Sequence, residues 1–294
     1  MELQRDRAYF LYRFGTGLLR QLPRPIAMMV MSLAANLAYV LSGGTRGVVT
    51  RNLRNVVGVQ MSSRGLQMLV RSSFVSYGRY WADLAQLPKH SANDLGRYLD
   101  EQDLIEFVEV HKHKAAIIAL PHIGSWEIAG LWANRHGYTV NTVAEPASSE
   151  ALTDWFRQQR DVFGIHVFNY SDQVINQLLA ALGRDELVTL VADRNIGGEG
   201  VEVSFFGETV KMPGGPALLA LRSGCPLIPL AVYQDHADHH RPVLLPPISL
   251  ERSGRLRDDV VRVTQDLAYA FEELIRKAPE QWHVFQPIWS DRNE

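Results

Sequence analysis

One cysteine, Cys225, is all the chain carries, so no internal disulfide can form, and no Cys-x-x-Cys or Cys/His grouping has the spacing of a zinc site. A reducing compartment is the expectation, and no metal is expected. An excess of either charge is also missing. The 30 Lys+Arg balance 32 Asp+Glu to a formal −2, and the basic residues form no long run. That removes the electrostatic footprint of a nucleic-acid binder, so nucleic acid is not an expected partner. There is no low-complexity linker and no repeat with a period of about 20–50 residues, which excludes a solenoid. The stretch Met1 to Arg20 holds Arg5, Arg7 and Arg13 but no compact apolar run with a small-residue cleavage site, so a secretory signal is not expected.

What is present suffices for a core: 46% of residues are hydrophobic and 21% charged. At 294 residues the expectation is one α/β core, 91–294, with an appended helical region, 1–90. The one long uncharged segment runs for 21 residues between Arg24 and Arg46. Ser32, Asn36, Ser42, Gly43 and Gly44 dilute it to about 17 apolar residues, which suits a buried or interfacial helix better than a bilayer span. Around it, AYFLYRFGTGLLRQL, Ile26–Leu41 and TRGVVTRNLRNVVG show apolar residues at helical spacing, with flanking arginines and the aromatics Tyr9, Phe10 and Tyr12. The combination fits helices lying on an anionic membrane surface, or simply packing on one another. LQMLVRSSFVSYGRYWADLA, from Leu66 to Ala85, reads as a further helix.

Beyond Lys114 the texture changes. AAIIAL, YTVNTVA, ELVTLVAD, VEVSFFG, CPLIPLAVY and RPVLLPP alternate with helical patterns over 126–136, 149–163, 171–182 and 216–223. Alternation of this kind predicts a mixed central β-sheet flanked by helices. A last amphipathic helix over 258–277 leads into QWHVFQPIWS, whose aromatics are too apolar for a free tail and are expected to pack near the cleft.

The sharpest local feature is AAIIALPHIGSWEIAG: a buried-type strand, then His122, then a turn through Gly124 and Ser125 into a helix that begins near Trp126 and Glu127. Strand–loop–helix junctions are where α/β sites sit. Five residues along a helix advance about 500°, so His122 must lie in the loop if Glu127 is to turn back toward it. A carboxylate on one imidazole nitrogen fixes the tautomer and leaves the other free to take a proton from an attacking hydroxyl, so His122 is expected as general base with Glu127 orienting it. A second block closes the apolar strand LVTLVA with Asp193, Arg194 and Asn195 and opens into a Gly-rich hairpin. Ser125 lacks the Gly-x-Ser-x-Gly frame of a nucleophile elbow and reads as structural or substrate-contacting. The His-rich HKHK at 111–114 and DHADHH at 235–240 read as solvated loops rather than metal sites.

His122-x4-Glu127, the Asp193–Arg194–Asn195 run, GVEVSFFG at 200–207 and MPGGPALLA at 212–220 together resemble the lysophospholipid-type acyltransferase superfamily. Within it they resemble the lipid A lauroyl/myristoyl branch, which includes the phosphatidylinositol mannoside acyltransferases of actinobacteria. The wording of ADRN, GVEVSFFGE and KMPGGPA lies nearer the mannoside-acylating enzymes. The two carboxylates are exchanged, because those enzymes usually carry Asp after the histidine and Glu in the second block. The resemblance implies a glycerol-3-phosphate acyltransferase-like fold with an N-terminal membrane-associating region. It also implies transfer of a long acyl chain, palmitoyl above all, from acyl-CoA as co-substrate, without a cofactor, to a mannose hydroxyl of a glycolipid at the cytoplasmic face of the inner membrane. Asp193 would hold the sugar or shape the site. Arg194 would stabilise a phosphate or the developing oxyanion, with Asn195 beside it, and Arg160, at a helix end before Gly164, would meet an anionic headgroup. The alternatives are a lipid A-type acyltransferase fed by acyl carrier protein or acyl-CoA, and a noncatalytic lipid-binding membrane protein.

Overall fold

A computed structural model describes residues 2–87, 92–144, 147, 149–195, 200–235 and 239–289. The first four elements are long helices: α1 (Glu2–Gln21), α2 (Arg24–Leu41), α3 (Gly43–Val57) and α4 (Ser63–Gln86). Their ends follow local chemistry. Pro23 and Pro25 start α2, where a missing amide costs nothing, and the Ser62 hydroxyl caps α4 by accepting from the Gly65 amide at 3.1 Å. α2 packs along α4, burying Ala27, Met28 and Ala35, and Gly78 permits the close approach. A Cβ there would sit 2.8 Å from the Met31 carbonyl oxygen.

The other face of α2 is open. Met29, Leu33, Leu37, Val40 and Leu41 are 57–72% exposed, and Phe10, Leu11, Phe14 and Leu18 extend the apolar surface along α1. α2, at 18 residues, is the one helix among the described residues long and apolar enough to cross a membrane.

Two short helices follow, α5 (Ala92–Tyr98) and α6 (Gln102–His111), which the hydropathy pattern had not disclosed. α5 makes fewer than two turns. In α6 the buried Leu104 and Phe107 alternate with exposed Ile105 and Val110, which blurs the stripe. The α/β part then runs β1 (Ile117–Leu120), α7 (Trp126–Arg135), β2 (Val140–Ala144), α8 (Glu150–Val162), β3 (Ile165–Asn169), α9 (Val174–Leu182) and β4 (Leu187–Val191). It continues with β5 (Val201–Phe205), β6 (Glu208–Met212), α10 (Gly215–Ser223), β7 (Leu227–Gln234), β8 (His240–Leu244) and α11 (Leu256–Lys277).

Six strands form one sheet in the order β3-β2-β4-β1-β7-β8, parallel except for the edge strand β8, while β5 and β6 form a separate hairpin. This is the mixed α/β architecture, with a mostly parallel sheet flanked by helices, that the alternation predicts. β1 is buried at all four positions, as a strand covered on both faces must be. Ile117 and Ala119 join a core with α9, α10 and α11 that also takes in Leu53 of α3 and Phe74 of α4. Ile118 and Leu120 join the opposite core with α5, α6 and α7. The C-terminal ends of β1 and β4, adjacent in the sheet, deliver the next residues to one edge.

Candidate active site

His122 leaves the end of β1 and Asp193 the end of β4. Because these strands pair in register from Ile117↔Val188 to Leu120↔Val191, the two side chains meet although 71 positions separate them. Asp193 is wholly buried. One carboxylate oxygen, Oδ1, accepts from His122 Nδ1. The other, Oδ2, accepts from the His122 backbone amide at 2.9 Å and from the Trp282 indole at 2.7 Å. Burial works to raise the Asp193 pKa, but the charge and hydrogen bonds of His122, with the indole, outweigh it and hold the carboxyl below its usual range. His122 itself is 30% exposed at its side chain, and Nδ1 is committed to the carboxylate. The remaining nitrogen, Nε2, is therefore the one available to a substrate proton.

Glu127 lies elsewhere than the spacing argument put it. It is the second residue of α7 and almost fully buried, and its Oε1 accepts from the Tyr80 hydroxyl at 2.9 Å and lies 3.5 Å from Arg160 Nη2. Among the described residues Oε2 has no hydrogen-bond partner. Burial raises the Glu127 pKa, opposed by Arg160, by Tyr80 and by His122. The carboxylate bonded to the imidazole is thus Asp193, and Glu127 contributes to His122 only through the field. The reason is geometric: α7 starts at Trp126, so Glu127 already follows the helix and points toward α4.

The turn between His122 and α7 is fastened by the main chain. Gly124 has φ +58°, and a Cβ there would fall 1.8 Å from the Val232 carbonyl oxygen, so only glycine fits. The Ser125 amide donates to that Val232 carbonyl at 3.2 Å, the Gly124 amide to Gln281 O at 3.2 Å, and the His283 amide to His122 O at 2.7 Å. Ser125 is buried, and its hydroxyl is engaged by Asp83 and Gln234.

Arg160, in the last turn of α8, lies over the Trp126 ring at 5.5 Å. Arg194 donates to the Gln286 side chain, near Tyr77. Asn195 follows, its side-chain amide close to Gly200, where an added Cβ would meet Nδ2 at 2.8 Å. Residues 196–199 lie outside the described residues. So His122, Asp193, Arg194, Glu127 and Arg160 converge on one edge of the sheet, with Ser125 behind them.

The residues not foreseen are Trp282, His283, Tyr80 and Asp83. The aromatic QWHVF segment had pointed to the cleft, and Trp282 and His283 are its members there. His283 bonds Ser76 at 2.9 Å and packs between Tyr77 and Tyr80, and burial, then the His122 charge, lower its pKa to about 3. One histidine expected in a solvated loop is not there: His240 opens β8 and is buried, 3.4 Å from Asp83. The strand ladder requires it to enter the sheet. Residues 236–238 of that run lie outside the described residues. Among the described residues no group of three or more His, Cys, Asp or Glu could hold a metal.

Under α7 an apolar cavity runs along the sheet face, lined by Leu120, Ile118, Trp126, Gly130, Trp132 and Tyr138, with Leu187 and Thr189 of β4. On the central strands its lining is Ile118 and Leu120 of β1 and Leu187 and Thr189 of β4. Leu120, one of its lining residues, lies two positions before His122 in the chain.

A histidine bonded to a buried carboxylate at the ends of β1 and β4, on strands whose α7 side carries an apolar cavity, is an arrangement that suits acyl transfer. The family comparison agrees. Residues 2–291 match the bacterial lipid A biosynthesis acyltransferase family, and the chain belongs to it. It is an acyltransferase. Among curated proteins, it is 32% identical over 282 residues to a phosphatidylinositol mannoside acyltransferase of Mycolicibacterium smegmatis, covering 95% of this chain and 90% of that one. Two Mycobacterium tuberculosis proteins of the same name, from strains CDC 1551 and H37Rv, are each 33% identical over 286 residues, covering 95% of this chain and 87% of theirs.

Proposed function

We propose that the protein transfers a long-chain acyl group, palmitoyl first among candidates, from acyl-CoA to a mannose hydroxyl of phosphatidylinositol mannosides. The observation that carries the reading is the His122–Asp193 pair at the C-terminal ends of β1 and β4, with Nε2 of the imidazole left for a substrate proton. With Nδ1–H donating to Asp193, Nε2 takes the proton of the sugar hydroxyl as its oxygen attacks the thioester carbonyl. The tetrahedral intermediate collapses, the sulfur of CoA leaves, and the imidazolium returns the proton to it. The chain needs no covalent acyl-enzyme and no cofactor for this. Asp193 orients the base and so shapes the site, one of the two roles the resemblance implied for it, and Glu127 acts with Tyr80 to hold Arg160. Arg160 and Arg194 supply cationic donors for the phosphates of donor and acceptor, and Asn195 lines the rim beside them. The mannoside acceptor is supported by the names of the relatives and by the ADRN and KMPGGPA blocks.

The open apolar face of α1 and α2 fits a peripheral seat on the cytoplasmic face of the inner membrane. α2 rises about 27 Å over its 18 residues and is already packed on α4 along one side, so the interfacial posture is the one the helix fits.

The test is transfer of labelled palmitate from palmitoyl-CoA to phosphatidylinositol mannosides, beside a lipid A precursor. Mannoside labelling lost in His122→Ala supports acceptor and base together. Preferential labelling of the lipid A precursor would move the acceptor, and undiminished transfer in His122→Ala would remove the base.

A further inference from the structure

The mechanism leaves one buried carboxylate unused. Asp83, in α4, is 4% exposed and lies 39 positions before His122 in the chain. Four groups from four different elements converge on it. Arg24 Nη2, at the start of α2, approaches Oδ1 at 2.5 Å. Oδ2 accepts from Ser125 Oγ at 3.1 Å and from Gln234 Nε2 at 2.5 Å, and His240 Nε2 of β8 stands 3.4 Å away. Burial pushes the Asp83 pKa up, and Arg24 first, then the Ser125 and Gln234 donors, pull against it. A buried carboxylate is costly to keep without partners, and here every partner is supplied.

Of these contacts, that with Ser125 bears on the chemistry. Ser125 closes the turn that begins at His122, and the other fastenings of that turn are main-chain bonds to Val232, Gln281 and His283. The Ser125 hydroxyl gives its proton to Asp83 and accepts from Gln234 at 3.0 Å, so Asp83 and Gln234 clamp the side chain between α4 and the end of β7. No hydrogen bond joins Asp83 to His122, Asp193 or Glu127, so whatever it does for the reaction passes through the turn.

We propose that Asp83 is a positioning residue for acyl transfer, holding the Ser125 hydroxyl so that the His122–Ser125 turn keeps the imidazole in line with Asp193. The proposal rests on His122 being the base. A displacement of the base by about 1 Å can cost about 100-fold in rate without touching substrate affinity.

The experiment is steady-state transfer from palmitoyl-CoA to phosphatidylinositol mannoside in mixed micelles, with Asp83→Asn, Ser125→Ala, the double variant and His122→Ala in one series. Both single variants should lower kcat by about 10- to 100-fold with KM for palmitoyl-CoA changed by less than about twofold. The double variant should be no worse than the poorer single, because both act along one chain of contacts. If Asp83→Asn fails to fold, Ser125→Ala, which leaves the Arg24–Asp83 pair intact, carries the test alone. Full kcat in Ser125→Ala, or losses that multiply in the double variant, overturns the positioning role. Full transfer in His122→Ala overturns the reading of the site and this proposal with it. A dead His122→Ala beside an unaffected Ser125→Ala overturns the positioning role only.

Discussion

Two buried carboxylates flank His122, and exchanging each for its amide separates their roles. In Asp193→Asn the shape survives but the donors do not match. If the amide oxygen stays at the Oδ2 position, it keeps the His122 amide and the Trp282 indole, and the amide NH2 then faces Nδ1. Nδ1 must become an acceptor, the ring proton moves to Nε2, and the lone pair that removes the substrate proton is gone. The reverse orientation restores Nδ1–H but sets NH2 against two buried N–H donors, at about 1–3 kcal/mol each. The first orientation wins, so the variant folds with the wrong tautomer. The comparable swap in a Ser-His-Asp triad costs about 10⁴ in kcat, about 5.5 kcal/mol, and a loss of about that size is expected here. Glu127→Gln is different in kind. The amide oxygen still accepts from Tyr80, Oε2 had no partner to lose, and Arg160 is weakened rather than stranded. Its kcat should fall by no more than about tenfold, 1.4 kcal/mol. The assay is turnover of labelled palmitoyl-CoA, with circular dichroism melts to confirm folding. A Glu127→Gln loss equal to or larger than that of Asp193→Asn would refute the assignment of the dyad.

Gly124→Ala forces a Cβ against the Val232 carbonyl at positive φ, and should cost more than about 2 kcal/mol, read as a drop in Tm of about 4 °C or more. His283, with its pKa lowered to about 3, stays neutral in the native state while the unfolded chain takes up a proton below about pH 6.5. Its contribution is therefore complete above that pH and lost as pH falls toward 3. The loss should be up to about 2 kcal/mol between pH 7 and pH 5, reduced because the ring is partly exposed, and urea midpoints for wild type and His283→Gln should diverge over that window. Tyr138→Ala enlarges the apolar cavity and, on the reading that this cavity takes the acyl chain, should shift donor preference toward longer chains by about tenfold, measured as a ratio of kcat/KM across a donor series. Leu33→Glu with Leu37→Glu charges the open face of α2. Each buried leucine is worth about 1.5–3 kcal/mol, so vesicle cosedimentation should weaken by about 100-fold or more, and unchanged binding would remove the membrane assignment.

Much of this was legible because parallel sheets write themselves plainly. AAIIAL is a continuous apolar run and LVTLVA is interrupted only by Thr189, and beyond them the chain presents His122, after Pro121, and Asp193 where the strands end. The long N-terminal helices were readable from spacing and prolines. The site was legible as a neighbourhood but not as a wiring diagram. His-x4-Glu suggested the wrong partner, because proximity along the chain ranked Glu127 above Asp193, whereas the register of β1 with β4 decides the contact and no local pattern encodes register. Asp83 was hidden inside an amphipathic helix, where a lone carboxylate reads as solvated. His240 was hidden inside a polar run whose last member begins a strand. Trp282 was visible only as an aromatic too apolar to be loose.

The His122–Asp193 spacing is set by two neighbouring strands, and the cavity by helices laid on their face. Chemistry and selectivity are therefore inherited through different layers of the molecule. On the proposed reading, substitutions in α6 or α7 would retune chain length and those on the α1–α2 surface membrane preference, while the main-chain ladder keeps His122 and Asp193 in register. A scaffold divided in this way can diversify its substrates by drift in the helices alone, and descendants acting on unlike glycolipids would still share an unchanged sheet edge.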